Sequence, residues 1–576
     1  MVGAMLLQVF CRYVLNASLS WSEELTRLLF VWLTFLGFGL AVQRGALPTI
    51  FVLGERVSHR GLAAALNAAR DVMNMAVALL MAFNGFQLAR HVAMMPTPAL
   101  GLSTAWFPLA VGSGGALLAF QLLAKGQAAE PQVPAVRPAI CIGHIALGAL
   151  GAAGVALLPA GFAPVGIATI AVFCVLSVLG VPIALGLAGA AFAGVADSGL
   201  ANTEAIARQL YDGVNSFLLL AIPFFMLTGV VMSSGGLAAR LVAFAQTLVG
   251  WMRGGLAQVD IVVSAIFADI SGSAVGDAAS VGGVLIPQMI RRGYPPQFAA
   301  AVQAAGGTLG LLFPPATALI VYSSVTDVPI SALFAAAFAP ALIVTAVFMV
   351  VNGIMARRLG LAPTADFVAG AIPRTLARAT LPLLAIVIII GGILGGVFTP
   401  TESGVVAVAY SLLVALAATR SLRLRTVPDL LVEASVGTAR VTSILAGAAG
   451  VGWLLTLTGI PAAISAALLH NISDPVIGVL AINAIFLVMH TVMEAAPAIV
   501  VVTPILLPAI ASLRIDPIQL GVLIMINSGI GMILPPMGIL TFLTASIAGV
   551  AAGRAFRAVM PYAAALVLVL LALVFV

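Results

Sequence analysis

Apolar residues run along this chain in stretches long enough to cross a lipid bilayer, and short polar segments separate them. Clear stretches lie near residues 26–43, 69–90, 102–124 and 139–158, and from about residue 164 the chain is almost continuously apolar. A helix needs about 20 apolar residues to cross the hydrocarbon core, so this chain has room for about 15 spans. The pattern therefore predicts an all-α polytopic membrane protein.

Two segments of the N-terminal part leave alternatives open. Residues 1–15 are apolar but too few to cross a bilayer alone, so we expect either that a helix begins part-way or that the recorded N-terminus is truncated. The polar stretch KGQAAEPQVPAVRP at 125–138 is either a loop between two structural units or an ordinary interhelical loop.

Composition narrows the possible functions. Hydrophobic residues make up 62% of the chain and charged residues only 8%, which predicts a lipid bilayer as the surroundings. The net charge of +6 does not indicate a nucleic-acid partner, because membrane proteins collect arginine in short cytoplasmic loops. The sequence contains no HExxH, CxxC or GxxxxGK[ST] motif. We therefore expect neither an enzyme nor an ATP-driven pump, and the energy for transport would come from an ion gradient.

Tandem prolines interrupt the second part of the chain twice in the same way. GLLFPP at 310–315 and GMILPP at 531–536 place their prolines 221 residues apart. At the same offset three more positions coincide without a gap: Val281 with Val502, Leu285 with Leu506, and Pro287 with Pro508. The coincidences predict an internal duplication, with repeats at about 164–330 and 385–550.

Proline cannot continue a helix, because it lacks an N–H group and clashes with the carbonyl one turn back. Backbone groups freed by such a break cannot face lipid, so each break is expected to line a cavity walled by protein. A simple kink is the alternative for a single break, but two related breaks favour a site where carbonyl oxygens bind sodium. Duplicated halves commonly have inverted topology. The basic loop RRGYPP at 291–296 is expected on the cytoplasmic side, because positive charge collects there, whereas the charge-balanced SLRIDP at 512–517 can lie on the opposite side. This difference fits an inverted topology.

Small and polar residues precede the first break. FADISGSAVGDAAS at 267–280 brings serines, glycines and acids into an apolar part of the chain. Gly272 permits a non-helical turn, and the hydroxyls of Ser271 and Ser273 suit a hard cation. Asp277 adds a charge that needs a partner in the membrane. These residues predict a re-entrant helical hairpin, whereas serines bonded to their own helix are the alternative.

The second repeat and the segment between the repeats have weaker signals. In TVMEAAP at 491–497, Glu494 lies opposite Ser273 and Pro497 is expected to break the helix. GGILGGVFTPTESG at 391–404 predicts a helix start capped by Thr401 and Glu402, in a structural or a functional role. LSWSEELTR at 19–27 predicts a helix start capped by serine.

At these motifs the chain resembles the membrane component of tripartite ATP-independent periplasmic (TRAP) transporters, with small and large subunits fused. RYVLNASLSWSEELTRLLFVWLTFLGFGLAVQRG at 12–45 is similar to the small subunit's signature. Motifs similar to those of the large subunit follow in order: AIPFFMLTGVVMSSGG, SGSAVGDAASVGGVLIPQM, GTLGLLFPP, GGVFTPTE and IDPIQLGVLIMINSGIGMILPPMG. The resemblance implies small-subunit scaffold helices at 1–124, a linker and connecting transmembrane helix at 125–160, and a large-subunit transport and scaffold region at 161–576.

The family resemblance implies an elevator-type transporter with inverted repeats, two re-entrant helical hairpins and two broken helices that move past a fixed scaffold. Such a protein lies in the bacterial inner (cytoplasmic) membrane and crosses it many times. It would import an organic anion, such as a C4-dicarboxylate or a sugar acid, with two or more sodium ions (Na+). A periplasmic substrate-binding protein would deliver the anion. The alternative is a sodium-coupled dicarboxylate carrier that works without a binding protein.

The resemblance also assigns candidate site residues. One sodium site would use Ser271 and Ser273 with the backbone of three further residues: Gly310, Phe313 and Pro315. The second would use the stretch around His490 and Thr491 with Gly531, Leu534 and Met537. Asp277 is a further candidate for cation binding. The substrate is expected at the two hairpin tips: Ser271, Gly272 and Ser273 in the first, and Glu494 and Pro497 in the second.

The sequence departs from the family pattern in three places. Leu534 stands where threonine is usual, so only its carbonyl remains as a ligand. His490 stands where glycine is usual, which would make the second tip bulkier or sensitive to pH. RGALPTI at 44–50 lacks the His-Ile that often follows the small subunit's Arg-Gly. The second sodium site is therefore less well supported by the sequence than the first.

Overall fold

The structure, a computed structural model, describes residues 1–47, 60–128, 165–198, 201–364, 366–472, 474–490, 493–535 and 538–575. Within these ranges the chain is helical, and its extended pairing is limited to one isolated bridge between Pro96 and Ser103. The connecting helix expected at 139–158 lies outside the described residues.

Four helices form the N-terminal region: α1 (Val2–Tyr13), α2 (Ser20–Gln43), α3 (Arg60–His91) and α4 (Trp106–Ala128). Helices α2, α3 and α4 pack side by side, and glycine lets their backbones approach closely. A methyl group on Gly115 of α4 would lie only 2.6 Å from the backbone nitrogen of Ala82 in α3.

Ten helices follow between residues 165 and 358. They are α5 (Val165–Val178), α6 (Ile183–Ser198), α7 (Thr203–Asp212), α8 (Ala221–Ser234), α9 (Leu237–Val249), α10 (Gly255–Ser271), α11 (Ala274–Arg291), α12 (Pro296–Thr308), α13 (Thr317–Thr326) and α14 (Ile330–Arg358). The sequence-predicted break at 310–315 separates α12 from α13.

Nine helices form the rest of the described chain. They are α15 (Ile372–Ile386), α16 (Pro400–Leu413), α17 (Val427–Leu457), α18 (Ile460–Asn471), α19 (Pro475–His490), α20 (Ala495–Ser512), α21 (Pro517–Ile533), α22 (Ile539–Ala548) and α23 (Ala552–Val574). Helix α15 continues to Leu394 through a π-helical segment, Val387–Gly391. The second predicted break, at 531–536, falls between α21 and α22.

Helix boundaries recur at the same offset that separates the two proline pairs. Helix α11 (Ala274–Arg291) and helix α20 (Ala495–Ser512) correspond at both ends, since 495 − 274 and 512 − 291 are both 221. Helices α12 and α21 begin at Pro296 and Pro517, which the same offset separates. The duplicated sequence therefore folds into two matching series of helices.

Helices of one series also pack against helices of the other series, in pairs that correspond between the repeats. Helix α13, after the first break, packs on α20 of the second repeat, and α22, after the second break, packs on α11 of the first. In the same way α6 packs on α17 and α8 packs on α16. Each repeat thus completes the packing of the other.

The broken helices lie at the centre of the molecule. Every residue of α12 from Phe298 to Thr308 is buried, and so is every residue of α21 from Leu520 to Ile533. Helices that are apolar and buried on all sides belong to the core of a large or membrane-embedded protein.

Nine helices in the described chain are long and apolar enough to cross a membrane, or ten if the bent pair Leu218–Ser234 and Ala239–Val249 is one span. Eight further apolar helices in these ranges have 10–17 residues, among them both arms around the second break and the arm that follows the first. The prediction of an all-helical polytopic protein is confirmed at this level.

A buried carboxylate connects the N-terminal region to the repeats. Thr399 caps α16 in a reciprocal arrangement, in which its N–H donates to Glu402 Oε2 (2.9 Å) and the Glu402 N–H donates to Thr399 Oγ1 (3.3 Å). Arg12 of α1 donates to Glu402 Oε1 at 3.0 Å, and the Tyr13 hydroxyl donates to the Val397 carbonyl. Glu402 therefore has a structural role, and Thr399 rather than Thr401 is the cap.

The expected serine cap of α2 is wrong. Leu19 is the N-cap residue, and it makes no side-chain cap hydrogen bond. Ser22 instead donates its hydroxyl to Gln8 of α1 and to the Leu19 carbonyl. Ser22 therefore joins α2 to α1.

We expect Thr399→Ala to destabilise the protein by about 1 kcal/mol, because it removes the side-chain acceptor for the Glu402 N–H. Thr399→Ser keeps the hydroxyl and is the matched control. Thermal unfolding of the purified protein in detergent measures both. Equal unfolding midpoints for Thr399→Ala and the unmodified protein would contradict the role of this cap.

Candidate functional site

The first tip joins two helices through a two-residue turn. Helix α10 ends at Ser271 and α11 begins at Ala274. Gly272 adopts a left-handed backbone conformation with φ of 58°, which glycine accepts readily. Ser273 caps α11 by accepting a hydrogen bond from the Gly276 N–H at 3.3 Å. The structure describes the backbone of Ser271 but not its side chain.

The first tip lies directly on the first break. The Thr317 N–H, at the start of α13, donates to the Gly272 carbonyl at 3.2 Å, and the Thr317 hydroxyl donates to the same oxygen. A side chain on Gly272 would collide with the Pro315 carbonyl oxygen. The first tip and the interrupted helix are thus in backbone contact.

Gly310 provides a second point of contact in the same place. A methyl group on Gly310 would lie 2.5 Å from Asp277 Oδ2 and 3.0 Å from the Ala274 backbone nitrogen. Asp277 is fully buried. The predicted residues Gly272, Asp277 and Gly310 are therefore brought together, although Gly310 lies more than 30 positions from the other two along the chain.

The first break leaves carbonyl oxygens available. A short 3₁₀ turn, Leu309–Leu311, ends the helical run, and Phe313 still donates its N–H to the Leu309 carbonyl at 2.9 Å. No residue in the described ranges donates a backbone hydrogen bond to the carbonyl of Phe313 or Pro315. Oxygens of this kind are ligands for hard cations.

The second tip lies on the second break in a related way. A methyl group on Gly531 would lie 2.5 Å from His490 Cβ and 2.6 Å from the His490 carbonyl oxygen. His490 ends α19 and is buried, with its Nε2 2.8 Å from the Ser528 hydroxyl of α21. Thr491 and Met537, which the sequence also assigned to this site, lie outside the described residues.

The two breaks are neighbours. A methyl group on Gly529 would lie 3.2 Å from Thr308 Cβ, so the ends of α12 and α21 touch. A methyl group on Gly307 would lie 3.5 Å from Leu540 Cδ1 at the start of α22. Two interrupted helices therefore meet in the core, each with a tip against it.

Glu494 occupies the position in the second tip that Ser273 occupies in the first, since each is the N-cap residue of the following helix and the repeat offset separates them. Its carboxylate forms an ion pair with Arg440 of α17. Arg440 is about one quarter exposed and Glu494 less.

Sequence reasoning overlooked Arg440, which is the only charged residue between Glu433 and the end of α17. A single charge within a long apolar run is a signal of function that was available from the sequence.

Two other assignments need correction or restriction. Pro497 was expected to break the second helix, but it lies within the first turn of α20, where proline is tolerated because the N–H would have no helical partner. Leu534 is the C-terminal cap of α21 in an extended conformation and offers only its backbone. Among the described residues, no group of three or more His, Cys, Asp or Glu side chains suits a metal ion.

Two sequence families match this chain. Residues 1–126 match the DctQ component of tripartite ATP-independent periplasmic transporters, and residues 170–576 match the DctM component. The isethionate TRAP transporter permease protein DctMQ of Oleidesulfovibrio alaskensis is 30% identical over 560 residues, covering 96% of this chain and 87% of that protein.

Relatives of the large component alone are similar over the second part. The C4-dicarboxylate TRAP transporter large permease protein DctM of Pseudomonas aeruginosa is 37% identical, covering 63% of this chain and 84% of its own. The 2,3-diketo-L-gulonate TRAP transporter large permease protein YiaN of Escherichia coli is 36% identical, covering 69% and 94%.

These relatives are transport permeases rather than enzymes, and both family matches lie on the regions where the motifs predicted them. The apolar helices agree with a multi-pass protein of the inner membrane. The chain belongs to the tripartite ATP-independent periplasmic transporter family and combines its DctQ and DctM components in one polypeptide.

Proposed function

We propose that this protein imports an organic anion together with sodium ions, and that a periplasmic substrate-binding protein delivers the anion. Relatives named as permeases for C4-dicarboxylate, 2,3-diketo-L-gulonate and isethionate support an anionic cargo. Family membership supports the binding-protein partner.

The observation that carries the sodium proposal is the contact of each tip with a broken helix. At the first site, the Phe313 and Pro315 carbonyls, the Ser271 and Ser273 hydroxyls and the Asp277 carboxylate supply oxygen ligands. At the second site the ligands come from the backbone around Gly531 and Leu534 and from the stretch at 490–491. Freed backbone oxygens that cannot face lipid are stabilised when they hold a cation.

Arg440 is the proposed partner of the cargo's carboxylate. A guanidinium group binds a carboxylate through two parallel hydrogen bonds, which gives both strength and orientation. Glu494 balances the charge of Arg440. The anion would take over part of this pairing, next to the tip residues Ser273 and Pro497.

We propose an elevator movement for the transport step. The moving unit would comprise the two tips, as re-entrant hairpins, and the two broken helices, with the repeats inverted in the membrane. The small-subunit helices at 1–124 would belong to the scaffold, joined by the segment at 125–160 to the large-subunit region at 161–576. Each sodium ion that enters gains about 2.3 kcal/mol per 100 mV of membrane potential, so two ions supply about twice that amount.

Uptake into liposomes tests the function as a whole. We expect the purified protein to accumulate a radiolabelled anion, tested with succinate, isethionate and 2,3-diketo-L-gulonate, only when a sodium gradient and the binding protein from the same bacterium are both present. Equal uptake without the binding protein would support the alternative, a sodium-coupled carrier that works alone. Equal uptake when potassium replaces sodium would contradict sodium coupling.

We expect Gly310→Ala to weaken sodium binding by about 10-fold or more, because the added methyl group displaces Asp277 and the first tip from the break. The matched control is Gly283→Ala in α11, where a methyl group meets no atom within 4 Å. The sodium-dependent rise in unfolding temperature of the detergent-purified protein measures binding without any cargo. Unchanged sodium dependence in Gly310→Ala would contradict this site.

We expect Arg440→Gln to lower anion uptake by about 10- to 100-fold, because a charged hydrogen bond to the cargo is lost, while sodium-dependent stabilisation persists. The double variant Arg440→Gln/Glu494→Gln removes the unpaired acid that the single change leaves behind. If Arg440 served only to neutralise Glu494, the double variant would recover uptake. Arg208→Gln, which alters an exposed ion pair, is the control.

A further inference from the structure

We propose a separate sodium site between α10 and α12 of the first repeat, formed by Asp260, Ser264 and Gln303. The inference deepens the proposed sodium coupling and rests on it for the identity of the ion. Asp260 lies about 16 Å along α10 from Ser271, since about 11 residues separate them at about 1.5 Å each. The carboxylate of the proposed site is therefore about three helical turns away from the turn of the first tip.

Asp260 is the central observation. Its side chain is completely buried. Neither carboxylate oxygen has a hydrogen-bond partner among the residues that the structure describes, and none of the ion pairs found there includes Asp260. A buried carboxylate is strongly disfavoured unless a cation, a metal or hydrogen-bond donors compensate its charge. The described chain supplies none of these, which points to a bound ion.

Other oxygen donors face the same space. Ser264 lies one helical turn after Asp260, on the same face of α10. A methyl group on Gly306 of α12 would lie 2.7 Å from Ser264 Oγ and 3.5 Å from Asp260 Oδ2. Because Gly306 has no side chain, both oxygens can lie close to the backbone of α12 at this position.

Gln303 completes the group from the opposite helix. It lies one turn before Gly306 on α12 and is completely buried, with its Nε2 3.5 Å from Ser264 Oγ. Its Oε1 has no hydrogen-bond partner among the described residues either. Asp260, Ser264 and Gln303 together offer four side-chain oxygens and one negative charge. A sodium ion satisfies several of these oxygens at once, whereas a proton satisfies one.

The second repeat provides an internal comparison. At the offset of 221 residues the three positions are apolar: Ala481, Ile485 and Ile524. Its nearest polar residues are the neutral Asn483 and Asn527, and the Asn527 side chain donates to the Asn483 carbonyl at 2.6 Å. Since the second repeat builds the matching helices without the acidic group, the shared helix packing does not require it.

Equilibrium binding of radioactive sodium to the purified full-length protein tests the proposal. We expect Asp260→Asn, which is neutral and of equal size, to bind one sodium ion fewer per protein. We expect Ser264→Ala to bind the same number of sodium ions, but with an affinity for one of them that is lower by about 10-fold. Thr228→Val is the control, because this buried hydroxyl bonds only to the Phe224 carbonyl of its own helix.

Sodium numbers and affinities that are unchanged in both Asp260→Asn and Ser264→Ala would overturn the proposal, and Ser264→Ala provides this test even if Asp260→Asn does not fold. Gly310→Ala in the same assay separates the sites. If Asp260→Asn loses an ion and the sodium affinities of Gly310→Ala are unchanged, the site at Asp260 stands and the first tip site fails. The reverse result overturns only the site at Asp260.

Discussion

Helix interruption within apolar surroundings is the constraint on which this structure depends. Each unsatisfied backbone group costs several kcal/mol in lipid, so a broken helix must be covered by other parts of the protein. Here the cover comes from the tips. Gly272 receives two hydrogen bonds from Thr317 across the first break, and His490 packs against Gly531 at the second.

The duplication explains why both broken helices are covered by a tip. A segment that breaks its own helix cannot complete its own packing, and in this fold the helix that follows each break packs on the opposite repeat. The two breaks consequently meet in the core, where Thr308 touches Gly529. A pair of related segments thus forms one central region rather than two independent kinks.

Charged residues are few in this region, and three of its acids, Glu402, Glu494 and Asp260, differ in how their charge is compensated. Glu402 is neutralised by Arg12 and by a helix start, so it joins the N-terminal helices to the repeats. Glu494 pairs with Arg440 at the second tip. Asp260 has no such partner in the described chain. The charges of Glu402 and Glu494 are thus compensated by other residues of the protein, whereas the charge of Asp260 points to a bound ligand.

The sequence alone determined the features that depend on local chemistry. The proline pairs set the breaks and Gly272 set the first turn, because both follow from backbone geometry. The constant offset between matching positions marked the duplication, because it follows from comparing the sequence with itself.

Tertiary structure decided which of these segments meet. The pairing of Glu494 with Arg440 and the grouping of Asp260 with Gln303 join residues more than 40 positions apart. Pro497 was misread for a related reason, since proline alone does not tell the first turn of a helix from its end. Long-range proximity arises from packing between helices, and apolar periodicity in a membrane chain does not encode which helices become neighbours.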